Sequence, residues 1–105
     1  MKKVILCLCL LVSSQVQATT THTDKKVEVI HGPDTRSCVF FKLKDVAEAD
    51  SVTPDIPWFA VSKEHIAYDE IFSILLSARM TDAELTVYTT GETVCGHAEV
   101  ITVRF

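Results

Sequence analysis

The chain has 105 residues, with 10 basic against 14 acidic side chains, a net charge of −4 and four cysteines. This length suits one domain around one small core. The acidic balance disfavours a nucleic-acid partner, because binding a polyanion rests on clustered Lys and Arg that neutralise phosphates.

Lys2 and Lys3 precede an unbroken apolar run, residues 4–12, and Val16-Gln17-Ala18 then offers small side chains where a signal peptidase reads. This pattern predicts a secretory signal peptide over residues 1–18. The apolar run is well short of the roughly 20 residues that cross a bilayer, so no membrane insertion is expected after cleavage. Cys7 and Cys9 follow Leu6 and Leu8, not the small residue that a lipoprotein anchor requires. The mature chain is expected to start at Thr19 and to be periplasmic or secreted. Lys2 and Lys3 leave with the signal, so 8 basic residues then face 14 acidic ones, a net charge of about −6.

Cleavage also removes Cys7 and Cys9, which leaves Cys38 and Cys95. An even pair in a small exported domain predicts one disulfide. A bridge closing a loop of about 57 residues contributes roughly 4 kcal/mol in the chain-entropy model, a large share for so small a domain. A redox role would need a C-x-x-C spacing or a positioned base, and neither is visible.

Residues 19–26, with four Thr, one His, one Asp and two Lys, have no apolar periodicity and predict a mobile N-terminal tail, with the folded domain spanning residues 27–105. Val27 and Val29 begin a first strand, which the His31-Gly32-Pro33-Asp34 cluster ends. Residues 38–43 form a second strand. Residues 44–57, carrying Asp45, Glu48, Asp50 and Asp55 with two prolines, read as a solvated acidic loop. Residues 58–62 are a short third strand.

The period then changes. Ile71, Phe72, Ile74, Leu75, Leu76 and Ala78 recur at helical spacing behind Asp69 and Glu70, which favour a helix N-terminus. One helix from Tyr68 to Met80 is predicted, with Ile71, Leu75 and Ala78 inward. Residues 85–89 alternate as a fourth strand, with Thr90-Gly91-Glu92 as its turn. Residues 97–105 form a fifth, with Val100 and Thr102 on one face and Ile101, Val103 and Phe105 on the other. Three strands, a helix and two strands make a β-rich α+β domain. The order fits a five-stranded OB-like Greek-key barrel with one helix between strands 3 and 4. Cystatin-like and ferredoxin-like sheets fit less well, since the former puts its helix first and the latter needs two.

His22, His31, His65 and His97 have no i,i+4 or H-x-x-x-H spacing, so no metal site is predicted. No G-x-S-x-G elbow is present, and three glycines are too few for a backbone oxyanion nest or phosphate cradle. The chain is expected not to be an enzyme and to carry no cofactor.

Aromatic residues offer more. Alternation places Trp58 and Ala60 opposite Phe59 and Val61 on the third strand. It likewise places Phe40 beside Lys42, opposite Val39, Phe41 and Leu43. On an OB barrel strands 2 and 3 form the usual ligand face, so Phe40, Lys42 and Trp58 are the candidate ligand-binding residues. The alternative is that Trp58 closes the bottom of the core.

Ala60-Val61-Ser62-Lys63, Ile66, the helix with Leu75-Leu76 and Ala78-Arg79, and the strand after it resemble the pentamer-forming B subunits of AB5 toxins. The resemblance is especially to the subtilase cytotoxin type and its typhoid and pertussis toxin relatives. This resemblance implies an OB fold, a ring of five subunits and recognition of sialylated or related glycans. The glycan-contacting Ser of those toxins has no alignable counterpart in residues 19–33, so no binding residue is carried over. The chain also resembles small exported bacterial proteins that share a first Cys before a strand, a Trp-initiated strand, a Leu-Leu helix and a late Cys-Gly, here Cys95-Gly96. The expected function is a small exported binding module whose partner is a glycan or a protein, with homo-oligomerisation allowed. The alternative is a periplasmic structural or inhibitory protein that binds another protein.

Overall fold

The computed structural model describes residues 19–105. The predicted signal peptide, residues 1–18, lies outside the described residues. The elements run β1 (Thr21–His31), β2 (Cys38–Leu43), β3 (Phe59–Ser62), α1 (Tyr68–Thr81), β4 (Glu84–Val94) and β5 (His97–Arg104). The helix therefore stands between β3 and β4, where the change of period predicts it. The strands pair in the order β1-β2-β3-β5-β4, and β4 returns to β1, so the sheet closes on itself. Only β3 and β5 pair in parallel, Phe59 with Ala98 and Ala60 with Glu99.

Closure gives every strand an inner and an outer face. Inside, Phe41, Leu43, Phe59, Val61, Leu85, Val87, Val100 and Val103 form the main core, joined by Ile71, Leu75 and Ala78 of α1. The rings of Phe41 and Phe59 stack there with centroids 4.8 Å apart. Outside, the alternate residues Cys38, Phe40 and Ala60 form a second, smaller cluster against which Trp58, Val94 and Cys95 pack. The alternation predicted for β2 and β3 thus sorts their side chains correctly. Cys38 and Cys95 are disulfide-bonded with Cα atoms 6.5 Å apart, which fastens the start of β2 to the β4–β5 turn.

The inward face of α1 matches its sequence. Its first turn carries Asp69 and Glu70, and its last turn Arg79, both favourable to the helix dipole. It ends at Asp82 in the left-handed region, and the Asp82 and Ala83 N–H groups both donate to the Ala78 carbonyl.

Four expectations need correction. Residues 19–26 are not a tail: from Thr21 onward they are the first half of β1, paired with β4 through Thr21–Tyr88, His22–Val87, Lys25–Leu85 and Lys26–Glu84. Here backbone pairing and polar ties do what apolar periodicity does elsewhere. Thr20 exchanges hydrogen bonds with Thr89, and the His22 ring bonds the Ala49 carbonyl at 2.8 Å and meets the Phe59 ring edge-on. The acidic loop is not wholly solvated either. Asp50 is buried, accepting from the Thr89 hydroxyl and the Val52 N–H, so it anchors the loop to β4.

Thr90-Gly91-Glu92 does not end β4. It forms an outward bulge, with Gly91 at φ 88, between the pairs Thr89–Val100 and Thr93–Ala98. The turn comes at Cys95-Gly96, where φ values of 53 and 81 between the partners Val94 and His97 suit a tight two-residue hairpin. On β5 a register shift falls between the pairs Tyr88–Thr102 and Thr89–Val100, so Ile101 is the extra residue. The shift resets the alternation, and Val100 and Val103 both point inward while Ile101 and Thr102 are exposed.

Leu75→Ala should cost about 2–5 kcal/mol in denaturant unfolding, since Leu75 is fully enclosed in the main core; a loss below about 1 kcal/mol would place the wrong helix face inward. Replacing Cys38 and Cys95 together by Ser should cost about 2–5 kcal/mol. Intact mass with and without reductant should show no alkylatable thiol in the mature oxidised protein, and two free thiols would contradict the bridge.

Candidate functional site

The outer cluster opens into a cavity of about 210 Å³ lined by His31, Arg36, Phe40, Trp58 and His97. Each residue comes from a different local device. His31 ends β1, and Arg36 lies in the 32–37 loop beyond the Gly32-Pro33-Asp34 turn. Phe40 projects outward from β2, Trp58 immediately precedes β3, and His97 opens β5 after the Cys95-Gly96 turn. The disulfide fixes the β4–β5 turn against β2, and with it the separation of His97 from Phe40.

Aromatic contacts build the walls. The Phe40 and His97 rings meet edge-to-face at 5.4 Å, His31 tilts against Phe40 at 6.0 Å, and His31 meets the Trp58 ring at 6.4 Å. The Arg36 guanidinium lies 4.4 Å from the centroid of the Phe40 ring. Arg36 is itself held: its Nη2 donates to Asp34 Oδ2 at 2.8 Å, its Nε faces both carboxylate oxygens, and its Nη1 donates to the Cys95 carbonyl at 3.4 Å. The Asp34 carboxylate also accepts the Arg36 backbone N–H at 2.8 Å, which closes the turn.

These contacts set the charges. Hydrogen bonding from the Arg36 side chain, then from its backbone N–H, holds the Asp34 carboxyl down to about 2. The same partner raises Arg36. Burial, then the nearby Arg36 charge, lowers His97 below its ordinary value, and its Nδ1 is enclosed without a hydrogen-bond partner among the described residues.

Of the three sequence-predicted residues, the structure brings Phe40 and Trp58 into one cavity and leaves Lys42 beside it. Phe40 is only 2% exposed, so it is the floor beneath Arg36. Trp58 is half-buried on the outer cluster and does not close the barrel core. The Lys42 ammonium sits 5.3 Å from the Trp58 ring but lines a neighbouring shallow cavity with Glu28, Asp45 and Asp55. Sequence reasoning missed His31, Arg36 and His97. The available signal was positional, because all three flank the turns that border β2 and β5. The other histidines serve the fold: His22 as above, and His65 by accepting the Ala67 N–H on Nδ1 and bonding the Ile101 carbonyl through Nε2. Among the described residues no three His, Cys, Asp or Glu side chains are grouped to hold a metal ion, and no helix is long and apolar enough to cross a membrane.

The lowered His97 titration has a stability consequence. The unfolded chain takes up the proton at higher pH than the folded one, so stability falls as pH drops from about 7 through the ordinary histidine range and levels off below the folded value. The melting temperature of the native protein should therefore fall more between pH 7 and pH 5 than that of His97→Gln. Equal falls in the two proteins would contradict this account of the buried imidazole.

No protein-family model and no curated protein sequence matches the chain.

Proposed function

We propose that this chain is a small exported binding module built on an OB-type barrel, without catalysis, and that it recognises a glycan through the His31–Trp58–His97 cavity. The strand order β1-β2-β3-β5-β4, its one parallel pair and the helix between β3 and β4 support the OB Greek-key reading. So does the resemblance to toxin B subunits, which carries no more than the fold.

The position of the cavity is the observation on which the function rests. OB domains bind oligosaccharides and oligonucleotides on the face of strands 2 and 3, between the loops that join strands 1 to 2 and 4 to 5. The cavity takes Phe40 from β2, Trp58 at the entrance to β3, Arg36 from the first of those loops and His97 from the end of the second. This is a fold-level analogy supported by local chemistry. A partly buried indole beside two imidazoles offers an apolar face and polar edges, which suits a sugar ring. The acidic net charge weighs against the oligonucleotide alternative. Export itself rests on residues 1–18 and is consistent with the disulfide.

A second reading, binding of another protein chain, draws on apolar side chains left in solvent. Ile66 is 97% exposed, and Met80 and Leu76 lie four residues apart on the outer side of α1. It accounts for those residues but leaves the cavity unused.

The test is a glycan array probed with the native protein and with Trp58→Ala, beside thermal melts of both. Loss of array binding should accompany a stability loss of about 1–3 kcal/mol. A loss of about 3–5 kcal/mol would mark Trp58 as core packing, and an unchanged array profile would exclude it from the site.

A further inference from the structure

The cavity also carries information about the charge of what it binds, an inference that rests on the glycan reading above. Anion-binding sites present a cation with unspent hydrogen-bond donors. Arg36, the only permanent cation in the lining among the described residues, spends three of its five N–H donors within the protein. Two of its three nitrogens engage the Asp34 carboxylate, the third the Cys95 carbonyl, and its flat face covers Phe40. The ion pair is partly exposed, with 46% of the Arg36 and 34% of the Asp34 side-chain surface open, and the Asp34 carboxylate offsets the Arg36 charge beside the cavity.

Lys42, whose ammonium lies 5.3 Å from the Trp58 ring, stands outside the lining of this cavity and among carboxylates. It shares its own cavity with the carboxyl groups of Glu28, Asp45 and Asp55. Burial, then the Arg36 charge, shifts His97 toward the neutral imidazole, and with Nδ1 enclosed it is the other ring nitrogen that remains to face a ligand. At about 210 Å³ the cavity is below the roughly 300–1,000 Å³ typical of sites for drug-sized ligands, so it holds one ring of a larger molecule.

We infer that the cavity takes an uncharged, hydroxyl-bearing ring, a neutral hexose unit, whose C–H face lies on Trp58 and whose hydroxyls meet the imidazoles of His31 and His97. An acidic sugar is disfavoured because the Asp34 carboxylate already offsets the Arg36 charge and would repel a second carboxylate beside it. No bond is made or broken. The specificity comes from an internal counter-ion that occupies the arginine.

The experiment uses the oxidised mature protein and two probe sets: methyl glycosides of galactose, glucose and mannose, and methyl glycosides of N-acetylneuraminic and glucuronic acids. Saturation-transfer NMR reports binding, and the emission of Trp58, the single tryptophan of the chain, reports whether it occurs at this cavity. At least one neutral hexoside should bind at least tenfold more tightly than either acid and shift the Trp58 emission. Asp34→Asn, which frees Arg36, should raise acidic-sugar binding at least tenfold while neutral binding changes by less than threefold. Acidic sugars that bind the native protein as well as neutral ones, with a Trp58 response, would overturn this inference and leave the glycan reading standing. Binding of neutral sugars without a Trp58 response would also overturn it. If neither set binds a correctly folded, oxidised protein, the glycan reading falls and this inference with it.

Discussion

Closure of the sheet by β1 is the constraint on which the rest of the molecule depends. One eleven-residue strand pairs with β4 through its first half, with a register shift between His22 and Lys25, and changes partner to β2 between Lys26 and Val27. Asp24, at φ 55, lies within that shift. Without the polar first half, β4 would present an unpaired edge and the ring would open. With it, every strand has a defined inside. The side chains of β2 then divide into Phe41 and Leu43, which pack in the main core, and Cys38 and Phe40, which do not.

The site follows from that division. Outward residues of a small barrel are normally solvated, yet Cys38, Phe40 and Ala60 are buried, because the 32–37 loop and the β4–β5 turn fold over them. Two links hold this cover down: the Cys38–Cys95 bridge and the contact from Arg36 to the Cys95 carbonyl. The bridge therefore has a local role besides its effect on the unfolded chain, since it seats the turn from which His97 projects. The enclosed, unpartnered Nδ1 of His97 is a cost that a fold under stability selection alone would have little reason to keep.

Legibility of the fold tracked the strength of its apolar signal. The 3.6 period of Ile71, Leu75 and Ala78 and the twofold alternation of β2 and β3 are local patterns, so they were readable. Residues 21–26 carry no such pattern, because only His22 among them packs on a core ring, and what orders them is a partner strand 58 to 67 residues away. Asp50 likewise looked like one solvated carboxylate among four, since its partner Thr89 is distant in sequence. Bulges defeated the assignment of faces on β5, as one inserted residue reverses every later side chain. At the cavity, the nearness of Trp58 and Phe40 was legible because alternation aims them at one face. Arg36 and His97 were not, because turns place them and no periodicity reports a turn's direction.

Amide hydrogen exchange across residues 21–26 of the oxidised mature protein tests the closed sheet most directly, since no other element depends so wholly on long-range pairing. The account predicts that the amides of this segment facing β4 exchange as slowly as those between β2 and β3, with protection extending to Thr89, whose N–H donates to the Thr20 carbonyl. Exchange of the whole segment at the rate of an unstructured chain, with β2 and β3 still protected, would contradict closure and the sorting of side chains that the site rests on.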